Sequence, residues 1–496
     1  MKSRYLGLIL LLCLSVSALA STLQVNSEVQ DEKWLKIAGS GPIEFTPEGF
    51  IVDELGSQYI EIMYDFADFE LSFDVNVKEY GTYGNIYLSL HEQDNFMGHT
   101  ITFDASSVRV LTRHGYWNDY TTVGSFGYSV RPGTWYNIKV VCAVNDYIIY
   151  VNGSKVGQFQ DRDGLYPTGS IVIKAANSTM EFKNIQVKAD ELVPKPLPNV
   201  VINTDRFPKP NALISGTFLS LDYSNARWDP YSWEDEFKAM KDLGMDLIVI
   251  RPYVSEDQDP LFLVLDEVFA EANRQGFKIM LGTCSNRDYQ WTSFSKSVLD
   301  QQMVKAKADI DKLYERYSDA PAFFGWYLAD EVDEKDFVGT RFETAKAYYG
   351  EQVQYLKALT PDKPILMCPS YDANSTSPKW WAKKYSELFE AVKVDIIGPQ
   401  DSVGAKRATP EQAILFYAGF KEAADKHGVT LWADVEIFDI KTWRPAPIEL
   451  LKRQLLAVEP HVEKVIIFEF NHYMNPYRSI HTRVLYEDYK AWIEEK

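Results

Sequence analysis

Acidic residues follow apolar runs abruptly at several places in this chain. The stretch AFFGWYLADEVD (322–333) passes from buried-strand character into Asp330-Glu331 and then Asp333-Glu334, groups that are costly to bury without partners. TLWADVEIF carries Asp434 and Glu436, and KVIIFEFNHY carries Glu469, Asn471, His472 and Tyr473. VIRPY brings Arg251 and Tyr253, and DIIGPQD ends in Gln400 and Asp401; Trp326, Trp432 and Trp443 lie near these groups. Two facing carboxyls suit hydrolysis of a glycosidic bond. One, protonated, donates to the leaving oxygen, and the other, ionised, attacks the anomeric carbon or activates water. Other chemistries lack their residues. Of seven His only His472 sits in this inventory, so a multi-histidine metal site is not expected. There is no Gly-rich phosphate loop and no G-x-S-x-G elbow, and no cofactor is expected.

The elements that must position these groups are strands followed by helices. Eight apolar candidates occur in order: ALISGTFLSL, MDLIVIRPY, FKIMLGTC, AFFGWYLADE, PILMCPSY, VDIIGPQD, TLWADVEIF and KVIIFEFNHY. Helical patterns such as SWEDEFKAMKDLG and EQAILFYAGFKEAADKHG follow them, with Gly244, Gly276 and Gly428 placed as C-caps. Eight such units over residues 212–496 have the length and period of a (β/α)8 barrel, and barrel sites gather at the C-terminal strand ends. The acids fall there.

Residues 23–188 read differently. FELSFDVNV, NIYLSLH, TWYNIKVVCAV and GSIVIKAA alternate apolar and polar residues, and YIIYVNGSKVGQF is a hairpin with Asn152-Gly153 at a type I′ turn. Many strands without helices imply a β-sandwich. Between the two domains, residues 189–211 hold five prolines, which favour an extended connector.

Residues 1–20 have a basic start, an apolar run and Ala18-Leu19-Ala20, the pattern of a secretory signal peptide cleaved near Ala20. A secreted or periplasmic protein is expected, without membrane insertion. Formal charge is −19, and loss of Lys2 and Arg4 makes it −21. A chain so acidic, with no basic stripe, is not expected to bind nucleic acid. Cys142, Cys284 and Cys368 remain, an odd number without metal-ligand spacing, and read as buried thiols.

The barrel resembles glycoside hydrolase clan A, in which the acid/base ends strand 4 and the nucleophile ends strand 7. Glu331 in GWYLADE and Glu436 in LWADVEIF match those places, and Arg251 in VIRPY matches the strand-2 arginine. The resemblance implies a retaining glycosidase on a poly- or oligosaccharide, with Glu331 as acid/base, Glu436 as nucleophile and Arg251 beside Glu436. The chain is also similar to a family of secreted bacterial barrels known mainly as a domain of unknown function, in which F-x-GWY, PQD and FEF…Y recur. GTWYNIKVV…DYIIYVNGSKVGQF resembles concanavalin- and laminin-G-like jelly rolls, which often bind carbohydrate. Three positions depart from the clan: Asp330 stands where Asn is usual, strand 6 ends in GPQD, and strand 8 offers Phe470 or Tyr473 for the usual Trp.

Simpler roles compete. Asp333, Asp401 and Asp439 can cap the helices that follow them or stand in solvent, and Arg251 can merely neutralise a buried acid. Glu469 competes with Glu436 as second carboxylate, His472 suits a structural hydrogen bond, and Trp380-Trp381 suit packing. The alternative to an enzyme is a non-catalytic carbohydrate-binding protein that keeps the barrel.

Overall fold

The computed structural model describes residues 21–94, 96–195, 200–221, 230–251, 259–283 and 295–495. The leader (1–20), Tyr253 and Cys284 lie outside them. The chain divides into two compact units, the second comprising Pro198–Lys496 with Asp94–Phe96 and His114–Asp119.

The first unit is an antiparallel sandwich. Its two longest strands, Phe69–Glu92 and Gly169–Ala189, run side by side through both layers. Residues 69–76 pair with Trp135–Ala143 in one layer, and residues 86–90 pair with His99–Phe103 in the other. The inward residues, among them Val75, Leu88, Ile101, Ile138 and Phe182, close into one core. The two long strands cross between layers where Gly84 meets Asn177 and Ser178. A Cβ at Gly84 would stand 2.5 Å from Ser178 Oγ and 2.6 Å from the Asn177 carbonyl, so the close approach requires glycine. The expected hairpin joins Asp146–Val151 to Ser154–Gln160, with Asn152 at φ 49° and Gly153 at φ 76°, the two positive values that a type I′ turn needs.

The second unit is a closed parallel barrel of β1 (Ile214–Ser220), β2 (Leu247–Arg251), β3 (Lys278–Gly282), β4 (Phe323–Leu328), β5 (Ile365–Met367), β6 (Ile396–Ile397), β7 (Thr430–Glu436) and β8 (Lys464–Phe468). The longer described helices are α1 (Pro230–Asp242), α2 (Asp259–Gln275), α3 (Lys296–Tyr317), α4 (Gly339–Leu359), α5 (Pro378–Ala391), α6 (Pro410–His427), α7 (Ile448–Val458) and α8 (Ile480–Glu494). Local signals set their ends. Thr409 and Gln412 form a reciprocal capping box at the start of α6. Gly244, Gly276 and Gly428 stand at φ 87°, 79° and 69° after α1, α2 and α6, as left-handed C-caps. Among the described residues no helix is long and apolar enough to cross a membrane.

Strand alternation separates two cores. Phe218, Val249, Met280, Tyr327, Leu366, Trp432 and Ile466 fill the barrel interior. Ile248, Ile250, Trp326, Leu328, Ala433, Val435 and Ile467 pack in the larger cluster with the helix residues. The same alternation decides which strand-end groups reach the barrel mouth.

Candidate active site

On β7 the outward residues are Ala433 and Val435, which leaves Asp434 and Glu436 on the inward face above Trp432. Both acids are buried, Glu436 to 5% exposure. The Glu436 carboxylate accepts the Ala405 N–H at 2.7 Å. Gly404 makes room for it, since a Cβ there would lie 2.7 Å from both Glu436 Cβ and the Phe438 carbonyl. Burial, then the charge of Asp401, push Glu436 up to about 8. Asp434 is raised well above the ordinary aspartate value by burial, with Glu436, Asp401, Glu331 and Glu469 adding to it. Its Oδ1 has no hydrogen-bond partner among the described residues. Four neighbouring acids thus act on Asp434, and water-poor surroundings disfavour the charged form of both β7 acids.

Asp401 supports Glu436 from behind. Its carboxylate accepts the backbone N–H groups of Val403 (3.1 Å) and Glu436 (3.2 Å), and the side-chain amide of Gln454 on α7 at 2.7 Å. Fully buried, it is pushed up to about 7 by burial. Asp401 thus binds its own loop and caps no helix, since Thr409 caps the one that follows. Gln400 forms a parallel bridge with Asp434 and is half-buried. The loops holding Glu436 are strained. Ser402, Lys406 and Trp443 have φ of 59°, 61° and 52°, a conformation that non-glycine residues keep where surrounding structure enforces it, commonly at functional sites.

On β4 alternation splits the acidic dipeptide. Glu331 forms an ion pair with Arg251 of β2, 3.3 Å apart, and is partly exposed. Asp330 goes the other way: it is buried, with its carboxylate accepting the Tyr348 hydroxyl of α4 at 2.6 Å and its carbonyl accepting that of Tyr349. The expected sugar contact at Asp330 is corrected to a β4–α4 packing contact. Trp326 is corrected likewise. Its ring is fully buried against Phe323, and its Nε1 donates to Thr360 at 2.9 Å. Trp432 is also buried, in the interior cluster opposite the first residue of β8, Lys464, so its ring serves the floor. Arg251, expected beside Glu436, pairs with Glu331, which reverses the anticipated electrostatics: the cation stands at β4 and the raised carboxyl at β7.

At β8 the cis Phe468–Glu469 peptide precedes a buried carboxylate. Glu469 accepts the Ser220 N–H at 2.8 Å and pairs with His472 Nδ1. Asn471 donates to Glu236 and accepts from Arg478 at 2.6 Å, linking a buried acid to an exposed cation. Tyr473 stacks on Phe438, and Phe438 stacks on Trp443. Sequence reading missed Gln454, Gly404 and Glu236, the last buried and pushed up to about 8 by burial. Gln454 and Glu236 each interrupt a buried helical stripe, beside Leu451 and Leu455 and beside Trp233 and Phe237, and that interruption was the available signal. Asp333 caps the turn Glu334–Phe337, whereas Asp439 caps no helix and accepts the Lys441 N–H within its own hairpin. Trp380 and Trp381 are core residues, and Cys142 and Cys368 are buried free thiols. Among the described residues no three His, Cys, Asp or Glu are arranged to hold a metal ion.

Several solved structures are similar to parts or all of the chain. A "putative alpha-L-fucosidase" from Bacteroides thetaiotaomicron is 23% identical with a TM-score of 0.49, over 58% of this chain and 98% of its own. A carbohydrate binding module, CBM66 from Bacillus subtilis, is 16% identical with a TM-score of 0.27, over 31% of this chain and 94% of its own. Xylanase10C from Cellvibrio japonicus is 12% identical with a TM-score of 0.37, over 96% of this chain and 93% of its own. At these scores they are likenesses only. No curated protein matches the chain. Residues 25–188 match the model of a 3-keto-alpha-glucoside-1,2-lyase-like domain. Residues 214–479, more than half of the chain and all eight barrel strands, match the model described as Domain of unknown function (DUF4434), and the chain belongs to that family.

Proposed function

We propose that this is an exported carbohydrate-active enzyme whose barrel cleaves glycosidic bonds with Glu331 and Glu436. The observation that carries the reading is the unequal pair at the ends of β4 and β7. Glu331 is held against a guanidinium, whereas Glu436 is buried and pushed up to about 8. Glycoside cleavage requires one acid that gives a proton and a partner that acts as a carboxylate; the raised Glu436 suits the first role and the guanidinium-paired Glu331 the second. On this reading Glu436 donates to the leaving oxygen and Glu331 attacks or activates water, the reverse of the roles that the clan resemblance implies. Asp401 holds the backbone of Glu436 in place, and Asp434 offers an unpartnered oxygen to a substrate hydroxyl. The lyase-like match of the first unit supports a carbohydrate ligand, and the basic and apolar leader supports export.

One observation favours a non-catalytic binding protein, namely the 5% exposure of Glu436. The two readings separate in one experiment. Reducing-end release is measured from a panel of polysaccharides with the wild type, Glu331→Gln and Glu436→Gln. Release by the wild type that both variants lose by 100-fold or more supports the enzyme, on the scale of general acid–base and nucleophilic contributions. Saturable binding without release supports the binding protein.

A further inference from the structure

The β7–α7 connection carries an exposed basic and aromatic tip. Phe438–Asp439 pairs with Arg444–Pro445 as a short hairpin two residues beyond Glu436. Its tip is Lys441-Thr442-Trp443-Arg444, all exposed. Trp443 is 61% exposed although it is the largest side chain there. Its backbone is held at φ 52°, and its N–H donates to the Asp439 carbonyl at 2.7 Å. One face of the indole lies on Phe438, nearly parallel at 9° with ring centroids 5.6 Å apart. Phe438 in turn lies on Tyr473, at 5.4 Å and 28°. Three stacked rings thus lead outward from the acid cluster and end in an aromatic surface offered to solvent.

The charges around that surface run against the rest of the chain. The formal balance is −19, yet Lys441 and Arg444 flank the ring. Neither forms an ion pair within 4.0 Å among the described residues. Asp439, the nearest carboxylate in the hairpin, is taken up by Lys406 at 2.9 Å and by the N–H groups of Lys441 and Thr442. Two cations at the end of an aromatic stack are complementary to a flat sugar face that carries a negative substituent.

We propose that Trp443 is the platform of a distal subsite that stacks one pyranose of a polymeric substrate, with Arg444 and Lys441 binding a carboxylate or sulfate on that sugar. The inference rests on the carbohydrate reading above. Arg251, the cation placed at the barrel mouth, is engaged by Glu331, whereas Lys441 and Arg444 stand at the hairpin tip, so the charged sugar occupies the tip and not the scissile unit.

The test measures binding, which needs no turnover. Calorimetric titration of the full chain uses three probes of equal length: an oligogalacturonate, a sulfated galactan oligomer and a neutral xylo-oligosaccharide. The wild type binds one or both acidic probes more tightly than the neutral one, and whichever binds identifies the substituent. Trp443→Ala weakens that binding about tenfold, the order expected for one lost aromatic stack, while Trp443→Phe restores most of it. Arg444→Ala weakens it several-fold and flattens its salt dependence. Melting temperature controls for folding, and an exposed Trp443 predicts that it stays unchanged. Equal binding by wild type and Trp443→Ala overturns the platform, as does binding of none of the probes. A neutral probe bound as tightly as the acidic ones overturns the charge preference. Binding that obeys these expectations without reducing-end release leaves this inference standing and removes the glycosidase.

Discussion

Glu436→Gln is the perturbation whose magnitude the structure sets most directly. The side chain is buried, accepts the Ala405 N–H and is pushed up to about 8. Its raised value belongs to the folded state. The unfolded chain loses this proton near the ordinary glutamate range, so the folded form binds more protons from there up to about pH 8. Stability therefore falls as pH rises through that window, and the group's contribution is complete only at acid pH. Between pH 7 and pH 9 the folded carboxyl passes from about nine-tenths protonated to about one-tenth. The integrated loss is about 1.4 kcal/mol, or about 3 °C of melting temperature for a unit of this size. Glutamine mimics the protonated acid: its carbonyl can still accept the Ala405 N–H, and it cannot ionise. The variant should gain about 1.4 kcal/mol on the wild type between pH 7 and pH 9 and be the more stable of the two at pH 9. Urea unfolding at both pH values measures this, with the difference between the two proteins cancelling the titration of other acids. Parallel pH dependence of wild type and Glu436→Gln would refute the reasoning, because the proton would then reside elsewhere.

Three other expectations follow from neighbouring contacts. Asp401→Asn places an amide nitrogen among three donors and should cost about 1–3 kcal/mol; by removing a negative neighbour it should also move the alkaline limb of the stability profile, read by urea unfolding, to lower pH. Gly404→Ala drives a methyl to 2.7 Å from Glu436 Cβ and the Phe438 carbonyl, so glycosidase activity should fall more than tenfold, while the overpacking costs about 1–3 kcal/mol in denaturant. Trp326→Phe loses the bond to Thr360 and should destabilise by about 1–3 kcal/mol with KM unchanged; a raised KM would return Trp326 to the substrate.

Much of the barrel was legible because each of its strands is a short apolar run between helical patterns, and because acids ending those runs violate burial unless they face a site. The finer placements were not legible for a reason of period. Asp330 and Glu331 are neighbours in sequence but lie on opposite faces, and reading the face needs the register of Tyr327 and Ala329 against Trp326 and Leu328. Trp326 and Trp432 failed as sugar contacts in two ways, one facing the helices and the other lying below the acids. Arg251 was assigned the wrong carboxylate because strand number says which residues reach the mouth, whereas barrel curvature decides which of them meet across it. The support of Glu436 by Gln454 was visible only as a polar residue in the apolar stripe of α7. In the sandwich, the Asn152-Gly153 turn was legible because a two-residue hairpin demands positive φ at both positions.

The central claim is that Glu436 gives the proton and Glu331 acts as the charged partner, and the dependence of each variant on the leaving group tests it most directly. Once the panel identifies the sugar, kcat is measured on its natural glycoside and on an aryl glycoside with a strongly acidic phenol, for wild type, Glu436→Gln and Glu331→Gln. An acidic phenol departs without protonation, so loss of the proton donor is largely forgiven there and loss of the charged partner is not. The account predicts that Glu436→Gln recovers most of its activity on the activated substrate while Glu331→Gln remains inactive on both. Recovery by Glu331→Gln, with Glu436→Gln inactive throughout, would contradict it and return the two residues to the order that the clan resemblance implies.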